Sequence, residues 1–343
     1  MKSPAGLPRF EALLGLIYAG CYLKNMEKFI EPATRALADE CHHLLNNEEI
    51  VSSRNPQEVL NIFTILIWAK LALKDSNWNP SSTHLATIEK MAPILRSLRH
   101  SDAGLPRFHG SCGDVDGQLD QALSNAESRE ISPIEKSVGF VKLSNSRTTI
   151  IIDAAPPPMG KKAVKADAST LAFEMVSGQR RIFTSCGPGY LFGSNLSSAS
   201  RQTSSHSVVY IDNQNSSQFS DKESWLKIPK KVIINGPRNV PKEISNDQGI
   251  CIFEGAHDGY VKSHGLTHVR KLKLAQDGQT FEGEDLIIAI EDSHKRQFDK
   301  ISKKTSRGSL SVKAAFHLHP DVTLRWDQKN HFDVSSCLLL SIH

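Results

Sequence analysis

Apolar positions recur at helical spacing through the first third of the chain and at strand spacing through the rest. Over 7–24, Leu13, Leu14, Ile17 and Tyr18 form one stripe behind Pro8 in the first turn, and 27–46 continues in the same manner. The run Asn55-Pro56-Gln57-Glu58 predicts a helix start: Asn55 caps, Pro56 suits the first position and Glu58 closes a capping box. The helix it opens, VLNIFTILIWAKLAL, is apolar nearly all round. It is too short to favour a membrane span, which makes it an inner helix of an α layer. Leu85, Ile88, Met91, Leu95 and Leu98 predict another helix, kinked at Pro93, and a last one covers 116–128.

From Val138 onward the pattern changes to short alternating runs divided by turn residues. GFVKLSNSRTTIIID reads as two strands joined at Ser144-Asn145-Ser146. In 166–190, Leu171, Phe173 and Met175 alternate with Ala172, Glu174 and Val176; Gly178 breaks the run and Ile182-Phe183-Thr184 resumes it, the signature of a hairpin. Further strands are expected near 207–212, 231–235, 250–254, 268–275, 280–290, 310–318 and 331–341, with no helical periodicity between them. The fold class is therefore α+β and multidomain, a helical domain over 1–132 followed by an antiparallel β-sandwich over 133–343. AGLPRF occurs twice, at 5–10 and 103–108, between neighbours that do not match, which predicts two equivalent helix-opening loops rather than a long repeat.

Composition narrows function mainly by exclusion. Hydrophobic residues make up 39% and charged residues 23%, and the net charge is +4, too mild for the concentrated basic face of a nucleic-acid binder. An anionic substrate in a locally basic cleft remains open. The six cysteines show no CxxC spacing, so neither a zinc knuckle nor a disulfide scaffold is indicated, and free thiols are expected. The first residues, MKSPAGLPRFEALLG, carry a proline and charges where a signal peptide has an unbroken apolar run.

An all-α half feeding a β-sandwich carries SRNP at 53–56, AGLPRFHG at 103–110, ASTLAFE at 168–174, SHSVV at 205–209 and HDGY at 257–260. HGLTHVR at 264–270, GED at 283–285 and FHLHPDV at 316–322 follow in order. Together these motifs resemble the heparinase II/III-like family over almost the whole chain. The resemblance implies an incomplete α/α toroid before the sandwich, a substrate cleft between the two halves, and β-elimination of an acidic polysaccharide. It also implies a periplasmic or cell-envelope location, with the cytoplasm open because no signal peptide is visible. Family members are longer at both ends. The alternative is a degenerate relative that binds a glycan or a partner protein without catalysis; a third class, a metal-dependent hydrolase, rests on His317 and His319, which would share one strand face.

Breaking a 4-linked uronate chain requires a base for the C5 proton, an acid for the leaving oxygen and a cation or amide to neutralise the carboxylate, and it needs no organic cofactor. Arg54 and Asn55 at a helix mouth suit the carboxylate. His109, which follows the second AGLPRF, and His206 and Tyr260 suit proton transfer. Arg107, Lys165 and Asp167 are substrate-binding candidates; Lys165, Asp167 and Ser169 would share one face if that segment is extended. In the family, the segment matching 165–169 tends to present histidines and an aspartate that complete a polar or metal-binding set with the histidine of SHSVV. Here Lys165, Asp167 and Ser169 stand there, with Ser185 at the acidic position, so that no metal is assigned.

Overall fold

The computed structural model describes residues 3–46, 51–113, 117–126, 138–160, 164–220, 232–303, 310–327, 331–334 and 338–342. The chain divides into a helical unit, residues 1–99, 103–105 and 113–138, and a β unit, residues 100–102, 106–112 and 139–343. The boundary expected at 132/133 lies outside the described residues.

In the helical unit, α1 (Leu7–Tyr22), α2 (Ile30–Asn46), α3 (Pro56–Asp75) and α4 (Ser82–Leu98) form two stacked pairs, α1 against α2 and α3, and α4 against the same two. A short α5 (Gln118–Ser124) follows. Asn55 caps α3 as expected, its Oδ1 accepting from Gln57 N at 2.9 Å and Glu58 N at 3.3 Å. The capping box does not close: the Glu58 carboxylate takes the Ser53 hydroxyl instead. Helix α3 is long and apolar enough to cross a membrane, yet most of that stretch is buried, including Val59, Phe63, Leu66 and Leu73, the pattern of a core helix.

The β unit opens with β1 (Phe140–Asn145), β2 (Thr148–Asp153), β3 (Phe173–Ser177) and β4 (Arg180–Phe183), an antiparallel sheet in chain order. Then come α6 (Ser194–Ala199), β5 (Val209–Ile211), β6 (Gln218–Phe219), β7 (Ile233–Asn235), β8 (Lys242–Asp247), β9 (Ile250–His257), α7 (Val261–His264), β10 (Thr267–Leu274) and β11 (Thr280–Ile288). The chain ends with α8 (Asp292–Ser302), β12 (Val312–Ala314), β13 (Leu324–Asp327), β14 (His331–Val334) and β15 (Leu338–Ile342). The larger sheet runs β13-β14-β15-β11-β10-β9-β8 and is antiparallel except where β15 joins β11 parallel. The two sheets face each other, with Phe173 on Phe281 at 5.2 Å between ring centroids and β1 against β9 and β10.

Strand β3 is buried on both faces: Phe173 meets the opposing sheet, and Glu174 on the other face accepts hydrogen bonds from Arg107 N and Ser185 N. Two sequence expectations change here. Only the first AGLPRF opens a helix; the second stays irregular, with Ala103 in the left-handed region and Leu105 and Phe108 buried. Helix α8 was invisible to periodicity because it is charged nearly throughout, and its half-buried Phe298 joins the cluster of Ile211, Tyr260 and Leu266.

Candidate functional site

Residues 106–112 carry the second AGLPRF copy into the β unit, where Phe108 stacks on Phe140 at 5.8 Å. The chain then turns at His109, a non-glycine residue with φ 54°, and Gly110 at φ 82°. Left-handed backbone costs an L-residue about 1–2 kcal/mol, so something must hold His109 there. Two hydrogen bonds do: His109 N–H donates to Asp167 Oδ2, and Asp167 N–H donates to His109 Nδ1 at 3.1 Å. Gly110 is needed for space as well as for φ, since a Cβ there would lie 2.7 Å from Lys165 Cβ.

The bond to Nδ1 sets the tautomer. With Nδ1 accepting, the proton of neutral His109 sits on Nε2, which lies 3.3 Å from Asp153 Oδ2 but outside hydrogen-bonding geometry. Asp153 closes β2 and accepts from Ser169 Oγ at 2.6 Å. His206 Nδ1 meets Ser185 Oγ at 3.1 Å, while its Nε2 is buried without a hydrogen-bond partner among the described residues.

The side chains of Asp153, Asp167, His109 and His206 are all buried. Burial lifts Asp167 from 3.8 to about 6, against the opposing pull of His109 and Arg201. Burial pushes His206 the other way, to about 3, so its ring is neutral near pH 7. The result is a dry cluster with one carboxyl that exchanges its proton near neutral pH and two imidazoles, each with an uncommitted Nε2.

The remaining sequence candidates lie as follows. Arg107 is half-buried, and its Nε has no hydrogen-bond partner among the described residues. Lys165 is exposed, its Nζ 5.0 Å from the Tyr190 ring centroid; the segment 165–169 is irregular, so it does not share one face with the buried Asp167 and Ser169. Tyr260 is buried, its hydroxyl donating to Val209 O at 3.2 Å, and burial raises its pKa further. Arg54 and Asn55 belong to the helical unit; Arg54 is buried at φ 52° and its Nε donates to Val138 O at 3.1 Å. His317 is tied to Ser204 O and His319 to Asp321, so they form no pair. Asp153 was missed in the sequence: a single aspartate ending an apolar strand reads as a turn residue, and only its burial gives it chemistry.

The residues at the family's metal positions do not fit a metal. Ser185 is a poor zinc ligand and is already bonded to His206, Asp167 is turned onto the His109 backbone, and no group of three His, Cys, Asp or Glu with ligand geometry occurs among the described residues.

A family model described as "Heparinase II/III-like, C-terminal" matches residues 133–336. FtsZ-localized protein C of Caulobacter vibrioides is 27% identical over 309 residues, covering 88% of this chain and 51% of that protein. The chain thus spans about half the length of the curated relative it matches. Among solved structures, a heparinase III superposes with a TM-score of 0.61 at 16% identity, over 83% of this chain and 46% of that one. The heparan sulfate lyase HepC of Pedobacter heparinus gives 0.55 at 16%, over 81% and 45%.

Proposed function

The chain belongs to the heparinase II/III-like family, and from that premise we propose that it is a polysaccharide lyase-like protein that cleaves an acidic, uronate-containing polysaccharide by β-elimination. The observation that carries this reading is the reciprocally bonded pair of His109 and Asp167, whose carboxyl is poised at about 6 beside the neutral His206. Elimination needs one group to accept the C5 proton and another to protonate the C4 oxygen. With Nδ1–H donated to Ser185 Oγ, His206 Nε2 takes the C5 proton, Asp167 in its protonated form gives one to the C4 oxygen, and the His109–Asp153 contact holds the cluster in register. Arg107, with an unbonded Nε, neutralises the uronate carboxylate as charge develops on C5. The location that goes with this substrate is the periplasm or cell envelope.

A non-catalytic role in binding a glycan or partner protein is the second reading. It is favoured by the complete burial of His109 and His206 and by likeness to a relative named for FtsZ localisation. The test is release of unsaturated uronate, read in the ultraviolet, from heparin-like, chondroitin-like and alginate-like polymers. Activity in the wild type that falls roughly 10²–10⁴-fold in His109→Ala supports the lyase. Absence of product from all three polymers refutes it and leaves the binder.

A further inference from the structure

A second cleft lies in the β unit, and none of the histidines just described lines it. Segments 213–219, 235–238 and 258–263, with Ser198 and Gln202, enclose a cleft of about 960 Å³, near the upper end of the ~300–1,000 Å³ range of small-molecule sites. Most such sites are lined by apolar side chains. This one is lined by amides and hydroxyls, with Phe219 and Val261 as its larger apolar groups. Gln202, Asn213, Gln214, Asn215, Gln218 and Asn235 each bring an amide, a group that both donates and accepts and so matches neighbouring sugar hydroxyls.

The walls are fixed before any ligand arrives. Asn215 Oδ1 accepts from Thr203 N at 2.8 Å, and Asp258 Oδ1 accepts from Arg238 N at 2.9 Å. Ser217 is 97% buried, and its Oγ has no hydrogen-bond partner among the described residues, although a buried hydroxyl left unbonded costs about 1–3 kcal/mol. Gly236 packs directly against that buried hydroxyl, and a Cβ there would lie 2.7 Å from Ser217 Oγ. At the rim, the exposed Arg238 and Lys262 make no ion pair among the described residues, and Asp258 is the one carboxylate of the lining. Phe219 presents an aromatic ring to the cleft, with the Arg201 guanidinium 4.9 Å from its centroid.

We infer that this cleft binds an oligosaccharide bearing carboxylate or sulfate groups. The amides take the ring hydroxyls, Phe219 packs against the C–H face of a pyranose, and Arg238 and Lys262 take the anionic groups. Among the described residues the lining is too polar for a lipid or an apolar peptide, and its one aromatic ring with two rim cations is too little for a nucleic-acid strand. Among the described residues the cleft is lined by no histidine, and its one carboxylate, Asp258, is engaged by the backbone N–H groups of Arg238 and Asn239, so it holds the chain rather than cleaving it.

The full chain is titrated calorimetrically with three probes of equal length: an oligogalacturonate, a heparin oligosaccharide and a neutral maltooligosaccharide. One anionic probe is expected to bind more tightly than the neutral one and to weaken as salt rises. The exposed pair Arg238→Ala/Lys262→Ala should weaken it roughly tenfold with an unchanged melting temperature. Gly236→Ala, whose Cβ would crowd Ser217 and Pro157 and shift this part of the cleft wall, should weaken all glycan binding. Which anion binds better tells carboxylate from sulfate. The inference is overturned if no probe binds, if the neutral probe binds as well as the charged ones, or if these variants bind like the wild type while His109→Ala does not. That last outcome would leave the lyase reading intact; weakened binding in the cleft variants without any unsaturated product would keep the cleft and remove the lyase.

Discussion

The β unit contains two buried histidine clusters that differ in whether their hydrogen bonds are complete. In the first, Gly259 N–H donates to His257 Nδ1 at 3.1 Å, which places the His257 proton on Nε2, facing His268 Nδ1 at 3.2 Å. His268 then carries its proton on Nε2 and donates to Asp285 Oδ1 at 2.7 Å. Asp285 also holds Arg270 through both oxygens, at 2.7 and 2.8 Å, and Arg270 NH1 reaches Leu171 O and Ser207 O. Each ring N–H has an acceptor, and neighbouring strands put the two histidines directly opposite each other in register. The second cluster, around His109 and His206, is as deeply buried but leaves both Nε2 atoms without a hydrogen bond. A complete network needs nothing further and reads as architecture, whereas an incomplete one is held at a cost by the surrounding fold, and its open positions are where a substrate can act.

The largest effect should come from breaking the complete cluster. Asp285→Ala strands the buried Arg270 without its partner and should cost roughly 3–5 kcal/mol in denaturant unfolding; a loss under about 1 kcal/mol would mean the network is not structural. The pH dependence gives a second reading. Burial holds His257 and His268 below 6.5 in the folded state, so their contribution is full above pH 6.5 and drains as pH falls through their folded values. Asp285 is held below its usual range, chiefly by Arg270 against the opposing effect of burial, and its contribution is likewise lost in acid.

Asp167 runs the opposite way. Its pKa rises on folding from 3.8 to about 6, so its contribution is fully present below pH 3.8 and is lost as pH rises through about 6. Asp167→Asn keeps an oxygen for the His109 N–H and removes the buried charge. It should raise stability on the order of 1–3 kcal/mol at about pH 8 and change little at about pH 4. Thermal unfolding of the two proteins across that range checks it, and parallel curves would show that Asp167 is not ionising in a dry site.

How much of this could be read from the chain depended on whether the signal was local. Asn55 and Pro56 mark a helix start through chemistry confined to one turn, and α3 begins there. The hairpin of β1 and β2 lies where alternation and turn residues put it, within a residue or two. Helix α8 has too little apolar surface to show a period, and Glu174 looks like the wet side of an alternating strand until the second face of β3 is seen to be covered. The site divides in the same way. His109, Asp167 and His206 stand out as residue types, but their convergence with Asp153 joins the end of β2 to segments at 109, 167 and 206, and the reciprocal bonds that turn His109 inward involve backbone atoms. The polar cleft beside Arg238 is less legible still, because scattered amides have no meaning in sequence until the loops bring them together.

The smallest expected change in stability is also the sharpest test of the comparison. His206→Leu removes a buried ring whose Nε2 is unbonded and leaves Ser185 Oγ short of one partner; relief of the first, worth about 1–3 kcal/mol, offsets the loss of the second, worth about 1 kcal/mol, so the net change should stay between about 0 and 2 kcal/mol. The matched substitution in the other cluster, His268→Leu, removes an acceptor from His257 and a donor from Asp285 together and should cost several times more. Product release should fall in His206→Leu if the lyase reading holds, whereas His268→Leu should act only through stability. Denaturant unfolding of both variants, paired with the ultraviolet assay on the fraction that remains folded, separates the two roles. Equal destabilisation by the two substitutions would erase the distinction between the clusters, because the open Nε2 of His206 would then be as structural as the closed ring of His268.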